Sequence, residues 1–394
     1  VNADHAVNAD HPVNADHPEA NVDSGRVAGV LAALATHLDA DRPTNVGFPS
    51  TFDIDYTALW PFFNRVLNNV GDPFQPSAFP ANTKHLEQEV IAFLADLLRA
   101  PAGDRWGYVT TGGTEGNEYG LLLGRSLHPD AITYFSQAAH YSVPKLVDKL
   151  RMPAIAVRTA TDGQIDLRDL RCALRTHRDK PAIVVATIGT TMTEAVDDVT
   201  AIRRVLNDVP IRHAHIHADA ALSGLPLALV APGCRPGFDL ADGADSISVS
   251  GHKFVGSPFP CGIVITRESL RSRIGAPVDY IATADTTLGG SRSGHAPLLL
   301  WYAINTFGVE GLRARAQQSR HVAAYAHARL HQIGWRASRH PHAFTVVFDT
   351  PPDPVARTWR LATSNGQSHL ICMPGVTPAQ IDQFVADLMV SHRS

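Results

Sequence analysis

Apolar residues from Val27 to Leu38 recur at helical spacing and predict a first helix, one that needs a partner surface to be stable. Asp55 to Val70 carries Tyr56, Trp60, Phe62 and Phe63 in a similar pattern and predicts a second, with Pro43, Gly47 and Pro49 marking the loop between them. Along His85–Leu98, Leu86, Val90, Ile91, Phe93, Leu94, Leu97 and Leu98 form one face of an amphipathic helix whose start carries Glu87 and Glu89, where negative charge suits the helix dipole. Beyond Pro101 the period changes. Short β-branched runs at Trp106–Thr111, Ala131–Phe135, Ala154–Arg158, Ala182–Ile188, His213–Ala218, Ser246–Ser250 and Gly262–Thr266 alternate with helical segments, the signature of a sheet covered by crossover helices. From about Leu298, long helical patterns and a strand at Phe344–Phe348 predict a smaller α+β domain.

The first residues fit neither period. They repeat Val-Asn-Ala-Asp-His with few large apolar residues, broken by Pro12 and Pro18, so a solvated tail is expected there. His5, His11 and His17 with their neighbouring aspartates offer weak metal ligands, but the solvated tail is the favoured expectation and no metal site is assigned. The predicted organisation is therefore a tail over 1–24, a helical segment over 25–84, a large α/β domain over 85–297 and a small domain over 298–394.

Composition narrows the partners. The 394 residues are 44% hydrophobic and 18% charged, as in an ordinary globular protein, and the formal net charge is -4. No block of Lys and Arg offers a nucleic-acid or membrane patch, which leaves a small molecule as the expected partner. Cys172, Cys234, Cys261 and Cys372 lie far apart with no CxxC pair, so neither a zinc site nor a disulfide framework is expected. With no apolar run long enough to span a bilayer and no basic-then-apolar start, a cytoplasmic location is expected.

Four motifs carry chemistry. Ser250-Gly251-His252-Lys253 follows a strand, where a lysine can be presented into a cleft, although an isolated lysine is usually a surface residue. His217-Ala218-Asp219-Ala220-Ala221 ends a strand in an acid flanked by small residues. That acid either caps the next helix or faces a cation such as a protonated pyridine nitrogen. Thr110 to Asn117 opens a helix after a strand, so the backbone around Gly113 and the Thr114 hydroxyl can cradle a phosphate, or simply form a glycine-rich capped turn. His140 can stack on one face of a flat ring while Ala221 closes the other.

Together with Gly189-Thr190-Thr191, Gly256-Ser257-Pro258-Phe259-Pro260-Cys261-Gly262 and Gly290-Ser291-Arg292-Ser293-Gly294-His295, these motifs resemble the group II decarboxylases that use pyridoxal 5′-phosphate (PLP). Within that group they are similar to the branch of bacterial histidine decarboxylases and plant serine decarboxylases. The resemblance runs from about Gly47 to near the C-terminus. It implies the α/β architecture of PLP fold type I, aspartate aminotransferase-like, with a mixed seven-stranded sheet, and a homodimer with active sites at the subunit interface. It further implies that Lys253 holds PLP as a Schiff base, Asp219 pairs with the pyridine nitrogen, and His140 stacks on the ring opposite Ala221. Gly113, Thr114, Ser250 and His252 hold the phosphate, Ser291 reaches a neighbouring subunit's phosphate, and Thr190 lies on the ring's phenolic side. Tyr280, on a mobile loop, returns a proton after carboxylate loss. The implied reaction is α-decarboxylation of an L-amino acid, with decarboxylation-coupled oxidative deamination or transamination, or a silent PLP-binding protein, as alternatives.

For the substrate, Phe74, Ser77 and Phe79 resemble the serine-decarboxylase pattern, whereas the bacterial histidine enzymes carry tyrosines in this segment. His369 to Thr377 likewise resembles the C-terminal signature of the plant branch. A buried imidazole left without partners costs about 1–3 kcal/mol per unpaired group. The expected order is therefore serine first, histidine second.

Overall fold

The computed structural model describes residues 24–279 and 283–391. The hexapeptide repeats and Tyr280 lie outside the described residues. The chain divides into two units, Val1–Pro43 and Thr44–Ser394. In the first, the predicted helix forms as α1 (Ser24–Asp41), with Val27, Val30, Leu31, Leu34 and Leu38 exposed.

In the second unit, seven strands form one sheet: β1 (Trp106–Thr110), β2 (Ile132–Ser136), β3 (Ala154–Val157), β4 (Ala182–Thr187), β5 (Ala214–Asp219), β6 (Ser246–Ser250) and β7 (Gly262–Thr266). Each lies within one residue, at either end, of a run that the β-branched pattern predicts. The order is β1-β7-β6-β5-β4-β2-β3, and only β7 runs antiparallel to its neighbours. The carboxyl ends of the other six therefore share one edge, where an open α/β sheet binds its ligands.

Helices α2 (Lys84–Leu97), α3 (Gly113–Leu127), α4 (Ser142–Lys149), α5 (Leu167–Thr176), α6 (Val199–Asp208), α7 (Gly224–Ala228) and α8 (Glu268–Arg271) connect and flank these strands. Strands β8 (Ala276–Val278) and β9 (Thr283–Asp285) form a separate ribbon. The long helix α9 (His295–Gln332) breaks its helical geometry at Gly308 and leads into β10 (Ala337–Ser338), β11 (Thr345–Asp349), α10 (Asp353–Thr358), β12 (Ala362–Ser364), β13 (Gln367–Ile371) and α11 (Pro378–Ser391). The last four strands make an antiparallel sheet, β10-β11-β13-β12, over its own core of Val322, Leu330, Val346, Phe348, Trp359 and Phe384. The architecture is PLP fold type I: a seven-stranded mixed sheet with helices and a small C-terminal antiparallel sheet.

One predicted element does not form. Asp55–Val70 makes only a short 3₁₀ turn, Thr57–Phe62, and then runs irregularly. Pro61 sits inside the turn and has no N–H to continue a helix. The aromatic spacing that suggested a buried face belongs to side chains such as Trp60 and Val66 that stay exposed in this chain.

The segment that enters α2 is tied down by a buried ion pair. Glu87 accepts from Asn69 Nδ2 and the Val109 N–H, both at 2.8 Å, and pairs with the buried Arg292. Glu87→Ala leaves that guanidinium without its anion and is expected to lower the unfolding free energy by about 3–5 kcal/mol. Urea unfolding measures it; a loss below ~1 kcal/mol would contradict the assignment.

Candidate active site

The carboxyl edge of the large sheet holds a cavity of about 400 Å³, and most residues singled out in the sequence line it: Gly113, Thr114, His140, Asp219, Ala221, Ser250, His252 and Lys253. Each arrives from a strand end. β6 runs into a π-helical turn, Gly251–Val255, that carries Lys253 and closes at Gly256, whose φ of 86° favours glycine. Thr51 Oγ1 donates to the Lys253 carbonyl at 2.8 Å and fixes this turn from outside. Burial holds the Lys253 amine below the ordinary lysine value, with Asp219 and then Glu194 opposing that shift. A larger neutral fraction makes the amine a better nucleophile.

Asp219 ends β5 and is buried. Its Oδ2 accepts from Asn117 Nδ2 at 2.8 Å and its Oδ1 from the Ala221 N–H at 3.3 Å. His140 follows β2 in the loop before α4. Its Nδ1 faces Ser142 Oγ at 2.8 Å and accepts from the Ser142 N–H at 3.3 Å, which leaves the proton on Nε2. Burial lowers its pKa, against the pull of Asp219 and with the push of Lys253, which favours the neutral ring.

At the start of α3, Gly113 meets Ser250 so closely that a Cβ would stand 2.8 Å from Ser250 Oγ. The first-turn N–H groups of a helix have no intrahelical partners. Together with Thr114, Ser250 and His252 they form a donor-rich cradle of the kind that binds phosphate. Deeper in the cavity wall, Thr187 is buried and its Oγ1 has no partner within the described residues. It is the register neighbour of Asp219 across β4 and β5. A flat, polar ring carrying a phosphate fits this donor set: a cradle at one end and, at the other, a carboxylate with a free hydroxyl on the neighbouring strand.

The remaining expected residues fall elsewhere. Thr190 is buried, but its hydroxyl is taken up by its own turn, 2.8 Å from Thr193 Oγ1 and accepting from the Ala195 N–H at 3.1 Å. Its neighbour Thr191 lines the cavity instead. Ser291 is exposed and bonded to Asn68 Nδ2 at 3.1 Å. Phe74, Ser77 and Phe79 stand outside the lining of this chain's cavity, and Phe74 is exposed.

Other lining residues were given no place in the cavity by the sequence. Asn117 sits one helical turn from Thr114, a spacing that places both on one face and was the available signal. Thr187 needed the strand register, and Phe48 and Pro49 lie on a loop without a pattern. His369, on β13, brings the small sheet to the cavity, with its two ring nitrogens 3.0 Å from the Met192 carbonyl and 3.1 Å from that of Gly47. Glu194 braces the same junction: it accepts from Ser223 Oγ at 3.0 Å, the Phe344 and Thr345 N–H groups and Thr345 Oγ1.

A lysine at the end of β6, a buried carboxylate at the end of β5 and a phosphate cradle at a helix start define a fold type I PLP enzyme. The model of the pyridoxal-dependent decarboxylase conserved domain matches residues 72–348. A histidine decarboxylase of Mesorhizobium japonicum is 45% identical over 88% of this chain and 94% of its own length; that of Morganella morganii is 41% identical over 88% and 92%. Among solved structures, an L-methionine decarboxylase from Streptomyces sp. 590 superposes with a TM-score of 0.83 at 26% identity, covering 94% of this chain and 96% of that one. The chain belongs to the pyridoxal-dependent decarboxylases and is a PLP-dependent amino acid decarboxylase. No helix among the described residues is long and apolar enough to cross a membrane.

Proposed function

We propose that the chain converts L-histidine to histamine and CO2, with Lys253 as the cofactor's anchor. The observation that carries the proposal is the charge layout of the cavity. Among the described lining residues Lys253 is the sole amine and there is no guanidinium, while Asp219 stands as the buried anion. A fixed cation on the substrate carboxylate would stabilise the ground state and oppose its loss; a cavity without one does not.

When bound, PLP supplies an aldehyde that takes up an amine and a conjugated ring that accepts the electron pair of the broken Cα bond. The chain's own residues do the rest. Gly113, Thr114, Ser250 and His252 hold the phosphate, Asp219 holds a proton on the pyridine nitrogen, and His140 with Ala221 keeps the ring plane fixed. In this assignment Thr191, rather than Thr190, stands beside the ring, with the free Thr187 hydroxyl near Asp219. Leu222 and Ile371 exclude water. The proton returned to Cα is assigned to Tyr280 on resemblance, with the Lys253 amine completing product release.

Two points favour histidine over the serine-first order expected from sequence. The relatives at 41–45% identity are histidine decarboxylases. The serine preference rested on Phe74, Ser77 and Phe79 and on the His369–Thr377 signature; the first three lie off this chain's own cavity and bear on the substrate only if a second subunit supplies them, and His369, which does line it, has both ring nitrogens turned to backbone carbonyls. A homodimer is part of the proposal, supported by the exposed Trp60, Phe74 and α1 apolar side chains and by Ser291, which stands off this cavity. PLP-loaded protein offered L-histidine, L-serine and other amino acids is expected to favour histidine by at least about 100-fold in kcat/KM, since a site built to hydrogen-bond one side chain rejects others strongly. Mass spectrometry of the products decides: ethanolamine forming faster than histamine removes the substrate assignment, and aldehyde with ammonia in place of amine favours the oxidative alternative.

A further inference from the structure

Behind Asp219 lies a run of buried polar side chains that the reaction does not touch. Because Asn117 Nδ2 donates to Asp219 Oδ2, its Oδ1 is the atom turned to His217 Nε2, at 3.0 Å. An amide oxygen only accepts, so His217 carries its proton on Nε2. Its Nδ1 then accepts from Ser246 Oγ at 2.9 Å, and that oxygen in turn accepts from His215 Nε2 at 3.0 Å. His215 closes the far end of the run. His215, His217 and Asp219 alternate along β5 and so share one face. Burial pushes His217 down to about 3 and His215 to about 4, so both rings are neutral.

The packing around the run makes room for it. Helix α3 lies on β5 and β6 with Gly116, Gly120 and Gly124 one turn apart. A methyl group at Gly120 would stand 2.0 Å from His217 Nδ1, and one at Gly116 would stand 2.2 Å from Ser248 Oγ. A side chain at Gly120 would force the helix off the imidazole, and one at Gly116 would force it off Ser248.

We propose that Asn117, His217, Ser246 and His215 form a neutral, one-way hydrogen-bond chain whose donors point towards Asp219, keeping its carboxylate ionised and aimed at the cofactor's pyridine nitrogen. A buried carboxylate needs donors, and a lysine or arginine would supply them. Such a cation would also cancel the charge that keeps the pyridine nitrogen protonated. A chain of neutral donors satisfies the carboxylate, polarises along its length, and leaves the full negative charge for the ring. These are positioning residues acting through Asp219, and the inference rests on the assignment of the cavity to PLP.

The test uses the holoenzyme loaded with PLP labelled with 15N in the ring, whose nitrogen shift reads its protonation, alongside equilibrium dialysis for cofactor affinity. His217→Gln keeps an N–H donor for Asn117, whereas His217→Phe keeps the ring volume and removes both bonds. Wild type and H217Q are expected to show a protonated nitrogen and dissociation constants within about threefold of each other. H217F is expected to lose part of that protonation and to bind PLP at least about tenfold more weakly, the scale of one buried hydrogen bond. Unchanged shift and affinity in H217F overturn the proposal, and equal losses in H217Q and H217F, which mark a packing role, also overturn it. Should H217F fail to fold, Asn117→Ala decides, with the same expected direction and the same overturning result. Wild-type protein that takes up no PLP at Lys253 would instead defeat the cofactor assignment itself.

Discussion

Lys253→Ala protein is expected to lose decarboxylation by about 10⁴-fold or more in kcat, because one side chain holds two roles that no neighbour can take over. In the proposed assignment its amine anchors the cofactor, and the same amine returns to release the product. Of the five lysines in the chain, only Lys84 is comparably enclosed, and its Nζ is spent on the carbonyls of Asp72 at 2.8 Å and Gln75 at 3.0 Å. Residual turnover within tenfold of wild type, measured as CO2 release at saturating substrate, would remove Lys253 from the mechanism. Non-covalent PLP uptake should survive in part, since the Gly113–Thr114 cradle and Asp219 remain.

Asp219→Asn is the second large effect, with an expected fall in kcat of about 10²–10³ and little change in KM. The substitution keeps the shape but removes the anion proposed to pair with the ring nitrogen, and breaking a buried charge pair costs about 3–5 kcal/mol. The introduced amide and that of Asn117 would then compete for one orientation, which adds to the loss. Steady-state kinetics separate the effects: a rise in KM at constant kcat would place Asp219 in substrate binding and not in ring electronics.

Much of this site was legible because chemistry in such sheets gathers at strand ends. Asp219 and Lys253 each close or follow a β-branched run, and Gly113 opens the helix after another, so the motifs could be ordered before any strand was placed beside its neighbour. The full sheet order was not legible, because β1 and β2, and again β3 and β4, follow one another in the chain without being neighbours in the sheet. Thr187 therefore stayed hidden: only the β4–β5 register sets it opposite Asp219. Thr190 and Thr191 are the same residue type in one turn, and the backbone path decides which hydroxyl is consumed locally. The aromatic run after Asp55 misled because spacing reports which residues could share a face, not whether this chain covers that face. Asn117 sat within a quoted motif, yet its role depends on His217, 100 residues away in sequence and one hydrogen bond away in space.

The central claim is that PLP is bound covalently through Lys253 in a decarboxylase site. Borohydride reduction of the yellow holoprotein, followed by proteolysis and peptide mass spectrometry, tests it most directly. The account predicts the pyridoxyl phosphate group on the peptide containing Ser250-Gly251-His252-Lys253 and on no other. Label on Lys84, Lys145, Lys149 or Lys180, or no label at all on protein that still releases CO2 from its substrate, would contradict it.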